Sequence, residues 1–259
     1  TIEEKRNNKR TFILFGIGGS YKPNENIEIY SNVSENYRSV TFADISIINP
    51  AFSINPDISD ERGNTIDLGI RGNINKLISY DLTLFNLNYK DRIGFAQKEF
   101  KDGSVKSERG NIGDAIIYGL ESNIDFDVNN LIIKNDNISL NVFLNTAIID
   151  SEYIRSEENG VIGKKVEFVP NYNIKTGIKL GIGNFIFNTQ YSHVSTQFTD
   201  SSNAKEGNIS GIIGEIPGYS LLDFSIAYRL KKIKIETGIN NLTNTYYFTR
   251  RATGYPGPG

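Results

Sequence analysis

The feature that most constrains the fold is the stretch of residues 217–247, in which apolar and polar side chains alternate from Leu222 to Leu230 and again from Ile233 to Asn240. Its first half places an apolar residue at every second position: Leu222, Phe224, Ile226, Tyr228 and Leu230. After Lys231 and Lys232 the alternation resumes along 233–240. Because successive strand side chains point to opposite faces, the pattern predicts a hairpin with one apolar and one polar face. Such a hairpin fits the surface of a soluble β-sandwich or the wall of a membrane barrel.

Composition narrows the function classes. The 259 residues show no linker-like shift, so we expect one domain, 1–259. There is no cysteine, which excludes disulfides, Cys-ligated metals and thiol catalysis. A net charge of −2 gives no bulk attraction to nucleic acid, and no apolar run is long enough for a transmembrane helix. A mean hydropathy of −0.34 is also compatible with a membrane barrel, because half of each strand faces water.

The same alternation recurs along the chain and predicts about ten strands. Their connections alternate between short turns and long polar segments. The long segments are expected at about 35–63, 94–111, 152–165 and 200–216. Several strands could run ten or more residues. Short turns at one end, long loops at the other and long strands are typical of outer-membrane barrels, so the pattern favours the barrel over the sandwich.

One strand departs from its own alternation. Apolar residues occupy even positions up to Leu84 and then odd positions from Phe85 to Tyr89. A β-bulge would produce this slip, and so would a strand leaving the bilayer. Both interpretations stay open from sequence.

Three stretches carry a resemblance to a known family: YSNVSENYRSVTFADI (30–45), NPDISDERGNTIDLGIRG (55–72) and INNLTNTYYFTRRATGYPGPG (239–259). In order and spacing they resemble the C-terminal half of a TonB-dependent outer-membrane receptor. The FADI and TRR pieces resemble the ferric-dicitrate branch of that family. The matching region runs from about residue 11 to the end.

The resemblance implies an all-β, antiparallel up-and-down transmembrane barrel of the 22-stranded type, with a plug domain inside it. This chain offers about ten of those strands, and we expect the plug and the last strand to be missing. An open sheet leaves two unpaired edges, which hydrocarbon does not tolerate. Residues 1–259 expressed alone should therefore not form a closed barrel.

The resemblance also implies a function: TonB-dependent uptake of a ferric chelate, similar to ferric citrate, across the outer membrane of a Gram-negative bacterium. The expected partners are the lipid bilayer, the chelate, and TonB through the absent plug; a surface lipoprotein stays open, and nucleic acid is not expected. No enzyme activity, cofactor or resident metal is expected. The alternative is a self-contained ten-stranded barrel acting as a surface enzyme or adhesin.

Arginines near the predicted loops are the candidate ligand-binding residues, because guanidinium groups bind carboxylates bidentately. They are Arg250, Arg251, Arg38 and Arg109. The single histidine, His193, is expected at an interface or loop base rather than in catalysis. Asp125 and Asp127 share a face, which is ordinary for lumen carboxylates.

Lipid exposure follows from the unbroken alternation. The residues expected to face hydrocarbon are Leu222, Phe224, Ile226, Ile235 and Leu140.

Overall fold

The computed structural model describes residues 10–46, 49–135, 137–208 and 211–251. The strands are β1 (Gly16–Asn24), β2 (Ile27–Arg38), β3 (Phe52–Ile54), β4 (Glu61–Ile74), β5 (Ile78–Glu99), β6 (Val105–Asp127), β7 (Ile138–Ser156), β8 (Tyr172–Ile182), β9 (Phe185–Val194), β10 (Gln197–Phe198), β11 (Glu215–Ile216), β12 (Tyr219–Leu230) and β13 (Ile233–Ile239). A four-residue helix, α1 (Phe42–Ile45), and one π-helical turn, Asn129–Ile133, complete the elements.

Ten strands form one continuous wall. Its order is β1-β2-β4-β5-β6-β7-β8-β9-β12-β13, and every neighbouring pair is antiparallel. The short β3 joins the sheet in parallel with β6, and β10 pairs with β11 apart from it. Within the described residues the path starts at β1 and ends at β13 without closing. The all-β, antiparallel, meandering fold expected from the sequence is confirmed.

The register sorts the wall into two faces, because paired residues share a face. One row is polar and crosses six strands: Arg71, Asp81, Asn123, Asn145, Lys175 and Ser192. The neighbouring row on the other side of the sheet is mainly apolar: Tyr80, Ile124, Leu144, Thr176, Tyr191 and Leu222. We call these the polar face and the apolar face. All five residues predicted to face hydrocarbon lie on the apolar face.

The parity slip in β5 has a clear structural origin. Pairing with β4 and β6 is regular from Ile78 to Tyr89, so the backbone does not bulge between Leu84 and Phe85. Instead the two faces exchange polarity there. Asn86 and Asn88 continue the apolar face, and the Asn88 amide donates to the Asn86 side-chain oxygen over 2.6 Å. The slip therefore marks the end of the apolar belt, and the irregular register comes later, between Tyr89 and Ile93.

Three predicted boundaries were wrong. Residues 94–111 are not a long loop, because β5 and β6 continue as a hairpin whose connection covers only 100–104. The bulge, together with several small and polar residues, hides the alternation there. The connection around 35–63 is shorter than expected and contains α1 and β3. The connection expected at 152–165 covers 157–171, because β7 continues to Ser156.

Glycines on the polar face lie under aromatic rings. A Cβ built on Gly177 would collide with the Phe143 ring and with the carbonyl of Thr189, and one on Gly69 would collide with the Tyr30 ring. Each ring is thereby able to lie over a neighbouring strand rather than project away from the wall. The Tyr30 hydroxyl donates to Asp81 over 2.6 Å, which fixes that ring in place.

The wall has two dissimilar ends. At the short-turn end, β4–β5, β8–β9 and β12–β13 are joined by 75–77, 183–184 and 231–232. The β6–β7 connection, 128–137, is longer than these turns and contains the π-helical turn. The opposite, long-connection end carries 39–60, 157–171 and 195–218. No helix among the described residues has the length and apolar character to span a membrane.

His193 occupies the expected position at the far end of β9. Its Nδ1 lies 2.9 Å from the Ser220 hydroxyl on the neighbouring strand.

Candidate functional site

The long connections converge on the β5–β6 hairpin. Strand β3 pairs with β6 through Phe52–Ile54 and Ser107–Arg109. From the other side, the Ser201 N–H donates to the Phe95 carbonyl over 2.9 Å. A Cβ on Gly94 would collide with the Glu167 carboxylate of the β7–β8 connection. We call residues 39–60, 93–111, 157–171 and 195–218 together the loop cap.

Asp44 of α1 joins two of the predicted site residues. Its carboxylate accepts hydrogen bonds from Arg38 Nη2 at 2.7 and 2.9 Å and from Arg109 Nη2 at 2.7 Å. The hydroxyl and N–H of Thr41 donate to the same carboxylate. Asp44 is only 3% exposed. Two strands and the connection between β2 and β4 are therefore tied together at one buried carboxylate.

Electrostatics keep that carboxylate ionised. Burial by itself raises the pKa of Asp44, but the hydrogen bonds from Thr41, Arg109 and Arg38 outweigh it and hold the pKa well below its usual range. Arg109 also stacks on the Phe95 ring, with its guanidinium carbon 4.5 Å from the ring centre.

A second carboxylate extends this network. Glu61, at the start of β4, accepts a hydrogen bond from the Ile93 N–H at 2.8 Å and a longer one from Arg38 Nη1 at 3.4 Å. Arg38 thus bridges Asp44 and Glu61. The base of the loop cap is held by alternating positive and negative groups, so that each buried carboxylate has a charged partner.

Burial is deepest beside this network. The Tyr153 hydroxyl donates to Glu167 over 2.7 Å, and both side chains are at most 2% exposed. The apolar residues packed around them are Ala96, Ile112, Ala115, Ile117, Val161 and Val166. The β7–β8 connection is therefore packed against the wall as firmly as a segment of a soluble protein.

The other two predicted arginines lie on the C-terminal segment. The Nε and Nη2 groups of Arg251 donate to the Glu215 carbonyl at 2.9 and 2.7 Å, and its guanidinium lies 5.5 Å from the Phe248 ring centre. Arg250 is exposed. The structure therefore brings Arg38 and Arg109 together on Asp44, and it places Arg251 on a different connection.

The INNLTNTYY stretch forms a compact turn that starts this segment. The Asn241 N–H donates to the Asp223 carboxylate at 2.8 Å, and the Asn241 side chain exchanges hydrogen bonds with the backbone of Thr245. Tyr247 stacks on Tyr219 with ring centres 4.4 Å apart. Asn241 adopts a left-handed φ of 52°, which asparagine tolerates better than most residues.

Sequence reasoning missed the carboxylates that organise the loop cap. Asp44 stands three residues after Thr41, the spacing of a capping box, and this pattern was the available signal. Glu61 and Glu167 offered none, because their partners are distant in sequence. Among the described residues, no group of three His, Cys, Asp or Glu side chains is placed to hold a metal ion.

Comparisons with known proteins agree with this architecture. Residues 3–242 match the family described as TonB dependent receptor-like, beta-barrel. The unliganded ferric citrate transporter FecA superimposes with a TM-score of 0.70 at 22% identity, covering 91% of this chain and 34% of that one. The siderophore receptor PiuA from Acinetobacter baumannii gives 0.66 at 17%, covering 93% and 33%. The copper transporter OprC gives 0.65 at 14%, covering 90% and 34%.

These identities show a shared fold and not a shared ligand. The chain spans about a third of the length of each of the three structures. Together with the family match over most of the chain, the ten-stranded wall identifies the protein as a member of the TonB-dependent receptor β-barrel family, whose barrels lie in the Gram-negative outer membrane.

Proposed function

We propose that this chain is the C-terminal part of a receptor that takes up a ferric chelate across the outer membrane, energised by TonB through a plug domain. Family membership carries the proposal. The apolar face then contacts lipid, the polar face lines the lumen, and the loop cap stands at the extracellular mouth. This assigns the protein to transport rather than to catalysis.

The chelate we propose is anionic and rich in carboxylates, as ferric citrate is. The support is the set of guanidinium groups at the cap: Arg38 and Arg109 on the Asp44 carboxylate, Arg251 on the Glu215 backbone carbonyl, and the exposed Arg250. Arginine pairs bidentately with carboxylates, and Arg155 shows that geometry within the chain, with Nε and Nη2 on the two carboxylate oxygens of Asp114. Arg250 and Arg251 contact the ligand in this proposal, with Arg38 and Arg109 behind them.

The alternative, a self-contained small barrel, requires β1 to pair with β13. These two strands lie at opposite ends of the described sheet path. An open sheet edge is not stable in hydrocarbon, so the wall needs further strands to close.

The test is ferric citrate binding and uptake by the full-length receptor carrying Arg250→Ala and Arg251→Ala. Each lost charge-assisted contact should weaken binding by about 1.5–3 kcal/mol, which is roughly ten- to over a hundred-fold in affinity. Arg62→Ala is the matched control, since Arg62 is exposed and pairs with Lys90 on the opposite face to Arg38 and Glu61. Wild-type affinity in the double mutant, at equal surface abundance, would remove these residues from the site.

A further inference from the structure

Four lysines lie in the connections at the short-turn end of the wall. Lys76 lies in the β4–β5 turn, Lys134 in the β6–β7 connection, and Lys231 and Lys232 in the β12–β13 turn. All four are exposed, and none forms an ion pair within the described part of the chain. The acidic residues of these short connections are Glu25, and in the sequence Asp136, which lies outside the described residues. Positive charge therefore predominates along this rim.

Backbone geometry does not explain the choice of lysine. Lys76, Lys134 and Lys231 have φ values of 59°, 52° and 49°, in the left-handed region that favours glycine and asparagine. The β8–β9 turn meets the same requirement with Gly183, at a φ of 55°. Three turns thus carry a lysine where a glycine would be less strained, which indicates that the side chain itself serves a purpose.

The β6–β7 connection adds an apolar surface next to Lys134. Leu131, Ile132 and Ile133 follow one another in the π-helical turn and are 43%, 70% and 39% exposed. Aliphatic side chains next to an unpaired lysine are the composition of a segment that lies in a membrane interface, with the ammonium group at the headgroups.

The position of this rim identifies the surface that it meets. Short turns of outer-membrane barrels face the periplasm. The rim directly continues the apolar face, where Leu230 and Ile233 flank Lys231 and Lys232. Its lysines are therefore at the level of the headgroups of the periplasmic leaflet.

We propose that this rim is a binding surface for anionic phospholipid headgroups, with Lys76, Lys134, Lys231 and Lys232 on the phosphates and Leu131–Ile133 in the adjoining acyl region. Charge complementarity and continuity with the lipid-facing belt carry the assignment. It goes beyond the proposed transport function and does not depend on which chelate is carried.

The test uses the full-length receptor in detergent, titrated with phosphatidylglycerol or with zwitterionic phosphatidylethanolamine and read by native mass spectrometry. The variant is Lys76→Gly, Lys134→Gly and Lys231→Gly together. Affinity for the most tightly bound phosphatidylglycerol should fall by up to about fivefold per lysine removed, while phosphatidylethanolamine binding stays unchanged. Raising the salt concentration should also reduce the preference of the wild type for phosphatidylglycerol over phosphatidylethanolamine.

Glycine also relieves the left-handed backbone, so the variant should unfold at a temperature no lower than the wild type does. Loss of lipid binding can then not be attributed to misfolding. The matched control is Lys101→Gln, Lys164→Gln and Lys205→Gln, three exposed lysines of the long-connection end. Undiminished phosphatidylglycerol affinity in the glycine variant would overturn the proposal. An equal loss of affinity in the control would also overturn it. In either case the lysines of the rim would serve solubility or bind an anionic periplasmic partner instead.

Discussion

The wall and the loop cap are stabilised in different ways. Nearly all buried side chains belong to the long-connection end: Ile93, Ala96, Tyr153, Val166, Glu167, Ile212 and Ile216 are examples. Within the described part of the wall, Ala227 is the buried apolar residue outside that end. The wall depends on strand pairing and on its two solvents, lipid and water, whereas the cap has a small core and buried ion pairs like a soluble domain.

The difference shows that the residue types favoured on each face can change along a single strand. In β5, Leu82 and Leu84 face the apolar side below the belt boundary, and Asp81 and Thr83 face the polar side. Above it, Asn86 and Asn88 replace the leucines, and Leu87 and Tyr89 pack against the core of the cap. The surrounding medium changes at that level, and the preferred residue types change with it.

The largest expected effect tests the wall. Ile226→Arg, in the middle of the apolar face of β12, should cost about 2–4 kcal/mol, because it places a charge in hydrocarbon. Ser225→Arg, the next residue on the opposite face, should cost much less. The measurement is urea unfolding of the full-length receptor in detergent or lipid. Equal losses for the two variants would reverse or abolish the assignment of the faces.

The next effect tests the cap. Asp44→Asn removes the charge that Arg38 and Arg109 share and should destabilise the β2–β4 connection by about 1.5–3 kcal/mol, nearer the lower figure because Arg38 is 37% exposed. Faster hydrogen exchange in 41–54 of the full-length receptor is the readout. Asp57→Asn, exposed in the same connection, is the control.

The ion pairs of Asp44 with Arg38 and Arg109 also predict how the stability of the β2–β4 connection depends on pH. The pKa of Asp44 is lowered in the folded state, so its stabilisation is complete above the unfolded value, about 4, and is lost as the pH falls toward the folded pKa. Wild type and Asp44→Asn should therefore differ from neutral pH to about pH 4 and converge in stronger acid. A difference that persists unchanged through strong acid would exclude the carboxylate charge as its origin.

The smallest effect locates the boundary. Asn88→Arg lies on the same strand and face as Leu84, but beyond the end of the belt. It should cost about 0–1 kcal/mol, the value for an interface, and less than Leu84→Arg, which lies on the lipid side of the boundary. Urea unfolding of both variants provides the comparison. If Asn88→Arg were as costly as Leu84→Arg, the bilayer would extend over the asparagine rows.

The wall was largely predictable and the candidate site was not. Alternation is a local property with a period of two, so Leu222–Leu230 indicated its strand and its face directly. Arg38 and Arg109 were recognised as arginines near loops, but their meeting at Asp44 depends on a connection that crosses to β6. The residues 94–111 were mistaken for a loop because the bulge near Asp91, with a φ of 53°, breaks the period.

The sequence by itself determined the strands, the two faces of the wall and the family. These follow from the alternation of side chains and from short stretches such as INNLTNTYY, which fold mainly through contacts with near neighbours. Only the tertiary structure decided which carboxylate each arginine binds, that the parity slip in β5 is not a bulge, and that lysines occupy the left-handed positions of three turns. Those features arise where segments far apart in sequence meet, or from backbone angles, and no periodicity encodes either of them.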